Sequence, residues 1–217
     1  MFERLAYNIS AWNRGRKWKI FFQEIQPGAN DRVLDIGFTN IEYSQTDNYL
    51  EKNYPYQNKI TALGIDKNSD NFVKLYPQVK TVLYSGGSFP FEDGQFGIVW
   101  SNAVIEHVGG REKQILFLQE MLRVGKKIFF TTPNKFFPVE IHTRVPLLHI
   151  ILSKNKFDWF LSFINKKWAT GDYMNLLGEK DLVALLEKCN VKKYKIIKNR
   201  FCGFVMDFVV VIDNNLL

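Results

Sequence analysis

The chain has three histidines, and two of them stand close to acids. His107 follows Glu106 in IEHV, and His142 comes two residues after Glu140 in VEIHT, with Thr143 and Arg144 next. An imidazole titrates near neutrality, so a histidine placed at a reacting hydroxyl can take its proton. Glu106 would orient the His107 ring or cap the adjoining helix. Glu140, His142, Thr143 and Arg144 gather polar groups in an apolar, proline-stiffened loop, either to bind hydroxyls or a phosphate or simply to brace the loop. A second set of residues suits ligand binding. VLDIG, from Val33 to Gly37, runs three apolar residues and Asp35 into a glycine, the pattern of a buried strand that stops at a sharp turn. A glycine there lets backbone approach a ligand where a Cβ would block it. Asp66 ends the similar run KITALGID, and an ionised carboxylate at a strand end can accept hydroxyl protons or cap the next helix.

The elements that must position these residues alternate along the chain. Ile9 to Ile25 reads as a basic amphipathic helix, stopped by Pro27 and Gly28. Strands follow at 32–36, in KITALGID, in VKTVLYSGG, in FGIVWSN and at 127–131. Thr39 and Glu42 have capping-box spacing, which predicts a helix directly after the first turn. Asn68 or Ser69 caps a short helix ending near Pro77, and Arg111 to Arg123 is a clear helix. Residues 134–175 break the rhythm as a helical insertion or lid, in which His149 reads as a helix residue. A helix from Glu179 to Cys189 and two long strands close the chain, implying an antiparallel hairpin. Together these predict an α/β fold: a Rossmann-like, seven-stranded, mostly parallel sheet with helices on both faces. We expect a single domain over 1–217, with an N-terminal helix in 1–28.

In this order the motifs resemble the SAM-dependent methyltransferases of the methyltransferase type 11 group. VLDIG resembles the first SAM motif and ALGID the acidic end of the second strand. FPFEDGQFGIVWSNAVIEHV and QEMLRVGKKIFFTTPN resemble the two later motifs, and TPNKFFPVEIHTRVPLLH is similar to members from polysaccharide and glycolipid biosynthesis clusters. The resemblance implies S-adenosylmethionine (SAM) as cofactor, with Asp66 on the ribose hydroxyls. The loop and the helix after Gly37 would take the methionine carboxylate, and Ser85 and Gly86 would lie at the adenine. Asp35, Gly37, Phe38 and Asn102 complete the expected cofactor set. Phe89 and Phe91 would wall the adenine or pack in the core. His107, with Glu106 and His142, is the expected catalytic group for methylating an oxygen of a small-molecule or glycan-type acceptor, and Asp172 and Tyr173 could reach that acceptor. The sequence departs from the family's G-x-G-x-G at Gly37-Phe38-Thr39-Asn40-Ile41. It also has Ser85 and Gly97 where the family carries acids, which keeps a non-enzymatic pseudo-methyltransferase as an alternative.

Composition excludes other classes. There is no G-x-G-x-x-G after the first strand and no Walker lysine, against a dehydrogenase or a P-loop hydrolase. Cys189 and Cys202 lack metal-ligand spacing, so no structural metal is expected, and they read as buried free thiols. A net charge of +7 would suit a polyanion, leaving an RNA methyltransferase as a further alternative. Nucleic acid is not the expected partner, because no RNA-binding module or NPPY-type motif is visible. Trp12, Trp18, Phe21 and Phe22 beside Arg14, Arg16, Lys17 and Lys19 would suit peripheral membrane contact, or a helix that covers the sheet or the cofactor pocket. MFERLAYNIS lacks the apolar core of a signal peptide, so a soluble, cytoplasmic protein is expected.

Overall fold

Apolar β-rich runs punctuated by helices build one seven-stranded sheet in the computed structural model, which describes residues 2–140 and 142–214, with side chains from residue 7. The helix α1 (Phe2–Ile25) leads into β1 (Val33–Ile36), α2 (Tyr49–Asn53), β2 (Ile60–Gly64), α3 (Asp70–Leu75) and β3 (Lys80–Leu83). Then come β4 (Phe96–Asn102), α4 (Arg111–Val124), β5 (Gly125–Pro133), α5 (Leu148–Ile151) and α6 (Lys154–Phe163). The last elements are α7 (Glu179–Lys188), β6 (Tyr194–Phe201) and β7 (Phe204–Asp213). The strand order is β3-β2-β1-β4-β5-β7-β6, parallel except that β7 runs against both of its neighbours. The order reverses between β1 and β4, and an open α/β sheet forms its ligand crevice outside the carboxyl ends of the strands at that point.

The period of two along each strand sorts the core into two layers. Leu34, Phe130 and Val210 face α4 and α7, where Leu118, Met121, Leu182 and Leu185 are fully buried. Their neighbours Val33, Phe129 and Val209 face α1 and α3 with Phe21, Ile25 and Phe72. Trp100 stacks on Phe129 with ring centroids 4.8 Å apart, and Phe21 meets both rings edge-on. The apolar face of α1 is thus spent on the sheet. Its Lys17 is buried as well, 3.3 Å from Asp207, and Asn13 donates to the same carboxylate at 2.6 Å. Trp12 and Phe22 stay exposed. Among the described residues no helix is long and apolar enough to cross a membrane.

Several expectations need correction. The first helix begins at Phe2 rather than Ile9. No helix follows Gly37, because the chain runs as a loop to Asn48 before α2. Glu42, expected in a capping box, instead pairs with Lys52 at 2.8 Å and accepts from Tyr76 and Asn48. Of the two alternatives for Phe89 and Phe91 the packing one holds: Phe89 is buried against Phe117, Phe91 is partly buried against Phe96, and neither lines the cavity at the carboxyl edge of β1, β2 and β3. Cys189 is only half-buried at the end of α7, and Cys202 is exposed in the β6–β7 turn. The insertion carries its own small core of Val145, Phe157, Leu161, Ala169 and Met174.

Candidate active site

A cavity of about 540 Å³ opens at the carboxyl edge of β1, β2 and β3. Ile36, Leu63, Ile65, Tyr84, Val104 and Phe117 give it apolar walls, and Gly37, Ser85, Gly86 and His107 reach it as well. Gly37 adopts φ +102°, and a Cβ there would lie 2.5 Å from Val104, so the turn demands glycine. Gly86 and Gly87 also have positive φ, and nothing lies within 4 Å of where their Cβ atoms would project. The volume and the apolar lining fit a nucleoside.

Side chains hold the loop that has lost its glycines. Phe38 folds beneath it with 6% exposure, its ring 4.3 Å from that of Phe72 and packed on Gly64. Asn48, in a left-handed conformation, accepts from the Thr39 N–H at 2.9 Å and donates back to the Thr39 carbonyl. Asn40 caps α3 through the Asn71 and Phe72 N–H groups, while its own N–H donates to Asp66 at 2.8 Å. Asp66, expected on ribose hydroxyls, is exposed just beyond the cavity-lining Ile65 without lining the cavity itself, and it fastens this loop through one oxygen. The Gly37 N–H is taken by the Leu63 carbonyl. The expected row of free N–H groups at a helix start is therefore absent. Among the described residues the Phe38 N–H has no partner, and Phe38 borders the cavity.

Asp35 sits on the other face from Leu34 and Ile36, so it points to the α1 side, away from the cavity. Burial pushes its carboxyl up to about 6, against the close contact with Glu51 and the nearby Arg14 charge. Burial, and then the Asp35 charge, raise the fully buried Glu51 well above the usual carboxylate range. Both carboxyls are thus pushed toward their protonated forms, and neither Glu51 oxygen has a hydrogen-bond partner among the described residues. Asn102 ends β4, where its side-chain oxygen accepts from Thr131 at 2.9 Å and its amide nitrogen is buried without a partner.

The two acid–histidine motifs, 35 residues apart, come together. His107 Nε2 lies 3.1 Å from His142 Nε2 with the rings edge-on. His107 Nδ1 meets the Tyr173 carbonyl at 2.9 Å, and His142 Nδ1 meets Glu140 at 2.9 Å. Glu106 is fully buried, with Oε2 accepting from Thr132 at 3.1 Å. Its Oε1 lies 3.9 Å from His107 and 3.8 Å from His142. Glu106 therefore neither orients His107 through Nδ1 nor caps a helix by its side chain. Burial alone would raise Glu140, but hydrogen bonds from His142 and Thr143 and the His142 charge outweigh it and hold the carboxyl at about 2. Burial likewise works against a charged His142, and the Glu140 hydrogen bond and the charge of Glu106 more than offset it, raising its pKa. Tyr173 contributes its backbone and its ring, 4.9 Å from His107. No motif announces a carbonyl, so the sequence could not show that contact.

A second cavity, of about 410 Å³, lies between α1, the loop after β1 and the insertion. Phe137, Val139, Phe201 and Met206 line it with Arg14, Asp47 and Arg144. Arg14 makes no hydrogen bond or ion pair among the described residues, although the charges of Asp207, Asp47 and Asp35 act on it. His107 borders the first cavity, and the segment carrying His142 borders the second.

This sheet order, with a glycine turn and an apolar crevice at its switch point, is that of an open α/β fold with a ligand crevice at the carboxyl edge of its strands. Residues 34–128 match the family model described as a methyltransferase domain, Methyltransf_11. That stretch, a little under half of the chain, is similar to a methyltransferase domain, and domains of that kind use S-adenosylmethionine as cofactor. A SAM-dependent methyltransferase from Methanosarcina mazei is 17% identical with a TM-score of 0.52, over 89% of this chain and 95% of that one. One from Aquifex aeolicus is 15% identical with a TM-score of 0.55, over 89% and 87%. The N-terminal domain of EvdMO1, solved in the presence of SAH and D-fucose, is 15% identical with a TM-score of 0.54, over 93% and 82%. This chain spans 40% of the length of the longer EvdMO1 chain. At such identities these likenesses establish the fold. No curated protein matches the sequence.

Proposed function

We propose that the protein methylates a hydroxyl oxygen of a small, glycan-type acceptor. In this reading SAM occupies the 540 Å³ cavity and the acceptor the 410 Å³ one. The observation that carries it is the His107–His142 pair, whose Nε2 atoms meet beside the cofactor cavity while both Nδ1 atoms are engaged elsewhere. SAM supplies a methyl group on a sulfonium, which departs as a neutral thioether. The acceptor oxygen forms the new O–C bond as the C–S bond breaks, and its proton passes to an imidazole Nε2. Charge appearing on that ring faces the buried Glu106 carboxylate. Gly37, Phe38 and the cavity walls hold the donor in place, and alignment supplies much of the acceleration. A sugar-like acceptor is favoured by the polar groups of the second cavity, by the D-fucose present with the EvdMO1 domain and by the resemblance of the 132–149 segment to proteins of polysaccharide clusters.

A panel of sugars, nucleotide sugars and simple alcohols, read by SAH release, tests the proposal. Transfer to at least one hydroxyl acceptor is expected, and His107→Ala should slow it about 100-fold or more while SAH binding stays within a few-fold. Transfer that persists in His107→Ala would overturn the proton-transfer role. Transfer only to carbon or nitrogen acceptors would overturn the acceptor class.

A further inference from the structure

The histidine pair and the buried Glu106 turn three ligand-type atoms toward one point. A backbone carbonyl only accepts, so His107 must carry its proton on Nδ1, toward Tyr173. The Glu140 carboxylate accepts from the His142 and Thr143 N–H groups and from the Thr143 hydroxyl, so it accepts from His142 Nδ1 too, and His142 carries its proton there. With both Nδ1 atoms engaged, each ring turns its Nε2 toward the other at 3.1 Å, a contact that one proton or one cation between them must hold. Glu106 Oε1 is a third electron-rich atom at the same point, in a side chain with 0% exposure and without a partner among the described residues. Two imidazole nitrogens and a buried carboxylate oxygen thus converge on one point, an arrangement that suits a positive centre.

We propose that His107 Nε2, His142 Nε2 and Glu106 Oε1 bind one divalent ion of the Zn²⁺ type. Two imidazoles and a carboxylate are the donors such borderline ions select. The outer arrangement matches as well, since metal-bound histidines donate their other N–H to a carboxylate or a carbonyl, as His142 does to Glu140 and His107 to Tyr173. Thr132 fixes the remaining Glu106 oxygen. With zinc–nitrogen bonds of about 2.0–2.1 Å, tetrahedral ligands stand about 3.3 Å apart. The histidines already do so at 3.1 Å, and the carboxylate oxygen, at 3.8 and 3.9 Å, has to close by about half an ångström. Three protein ligands leave a position open, the pattern of catalytic rather than structural sites. An acceptor hydroxyl there would release its proton to water more readily, while the imidazoles hold the ion instead of taking that proton. The role, though not the binding, rests on the methyl-transfer reading.

The test uses tag-free protein stripped with chelator and titrated with Zn²⁺ against a chromogenic competitor, without SAM. One ion per chain is expected, with affinity weakened tenfold or more in His107→Ala, His142→Ala and Glu106→Gln, and unchanged in His149→Ala. Co²⁺ in the same site should give visible absorption bands that added Zn²⁺ abolishes. SAH binding by each variant checks that it is folded. No saturable site, or one that survives all three ligand variants, overturns the proposal. If no ion binds and His107→Ala still stops transfer, the metal is refuted and the proton-transfer reading stands. If an ion binds as described and no hydroxyl is ever methylated, the site stands and the acceptor reading falls.

Discussion

Replacing Gly64 with alanine tests how the loop after β1 survives without glycines. Gly64 ends β2 in ordinary extended backbone, so alanine carries no conformational penalty there. Its Cβ, however, would lie 2.5 Å from Phe38 Cε1, 2.9 Å from Cδ1 and 3.0 Å from Cζ. The ring would have to retreat by roughly an ångström to reach ordinary contact, and Phe72, fully buried at a 4.3 Å ring separation, blocks its way. Overpacking of this kind costs about 1–3 kcal/mol. For a chain of this size the melting temperature should fall by about 2–4 °C per kcal/mol. Because Phe38 borders the cofactor cavity, SAH affinity should fall with it. Adding Phe38→Leu should restore part of both, giving a favourable coupling in a double-mutant cycle. Thermal melts and SAH titrations on the four proteins measure it. An unchanged Gly64→Ala protein, or strictly additive effects, would refute the claim that Phe38 anchors the loop.

Other outcomes follow from the same geometry. Asp66→Ala should remove most SAH binding, because it deletes the carboxylate next to the cavity-lining Ile65 and frees the Asn40 N–H that steadies the loop; near-normal affinity by calorimetry would contradict this. Glu51 has a raised pKa when folded, so the stability tied to its protonated form is present at low pH and lost as pH rises. Urea unfolding should therefore show Glu51→Gln gaining on wild type between pH 5 and pH 8, and a parallel pH profile would refute a Glu51 carboxyl held in its protonated form. Lys17→Ala should cost about 3–5 kcal/mol, since it strands Asp207 as an unpaired buried charge; a loss under 1 kcal/mol would show that water reaches the site.

Much of the fold could be read from the sequence because strands and breakers agreed. FGIVWSN forms β4 from Phe96 to Asn102, and the two C-terminal apolar runs form the antiparallel hairpin, with β7 inserted beside β5. The loop after β1 was misread because Thr39 and Glu42 have capping-box spacing, yet Lys52, Tyr76 and Asn48 claim the Glu42 carboxylate. Those partners lie 6 to 34 residues away, where local pattern has no reach. Asn40 and Asn48 replace glycine's freedom with side-chain hydrogen bonds, a substitution that no composition rule signals. At the candidate site His107 and His142 could each be singled out by chemistry. Their meeting depends on how the insertion folds back over β4, which the sequence does not state.

Thermal unfolding with and without SAH tests the central claim, a working cofactor crevice behind an altered loop. At a hundredfold excess over its dissociation constant the ligand should add about 2.7 kcal/mol, a shift of roughly 5–11 °C at this size. The account predicts that shift in wild type and its loss in Asp66→Ala. No shift at millimolar SAM or SAH would contradict it.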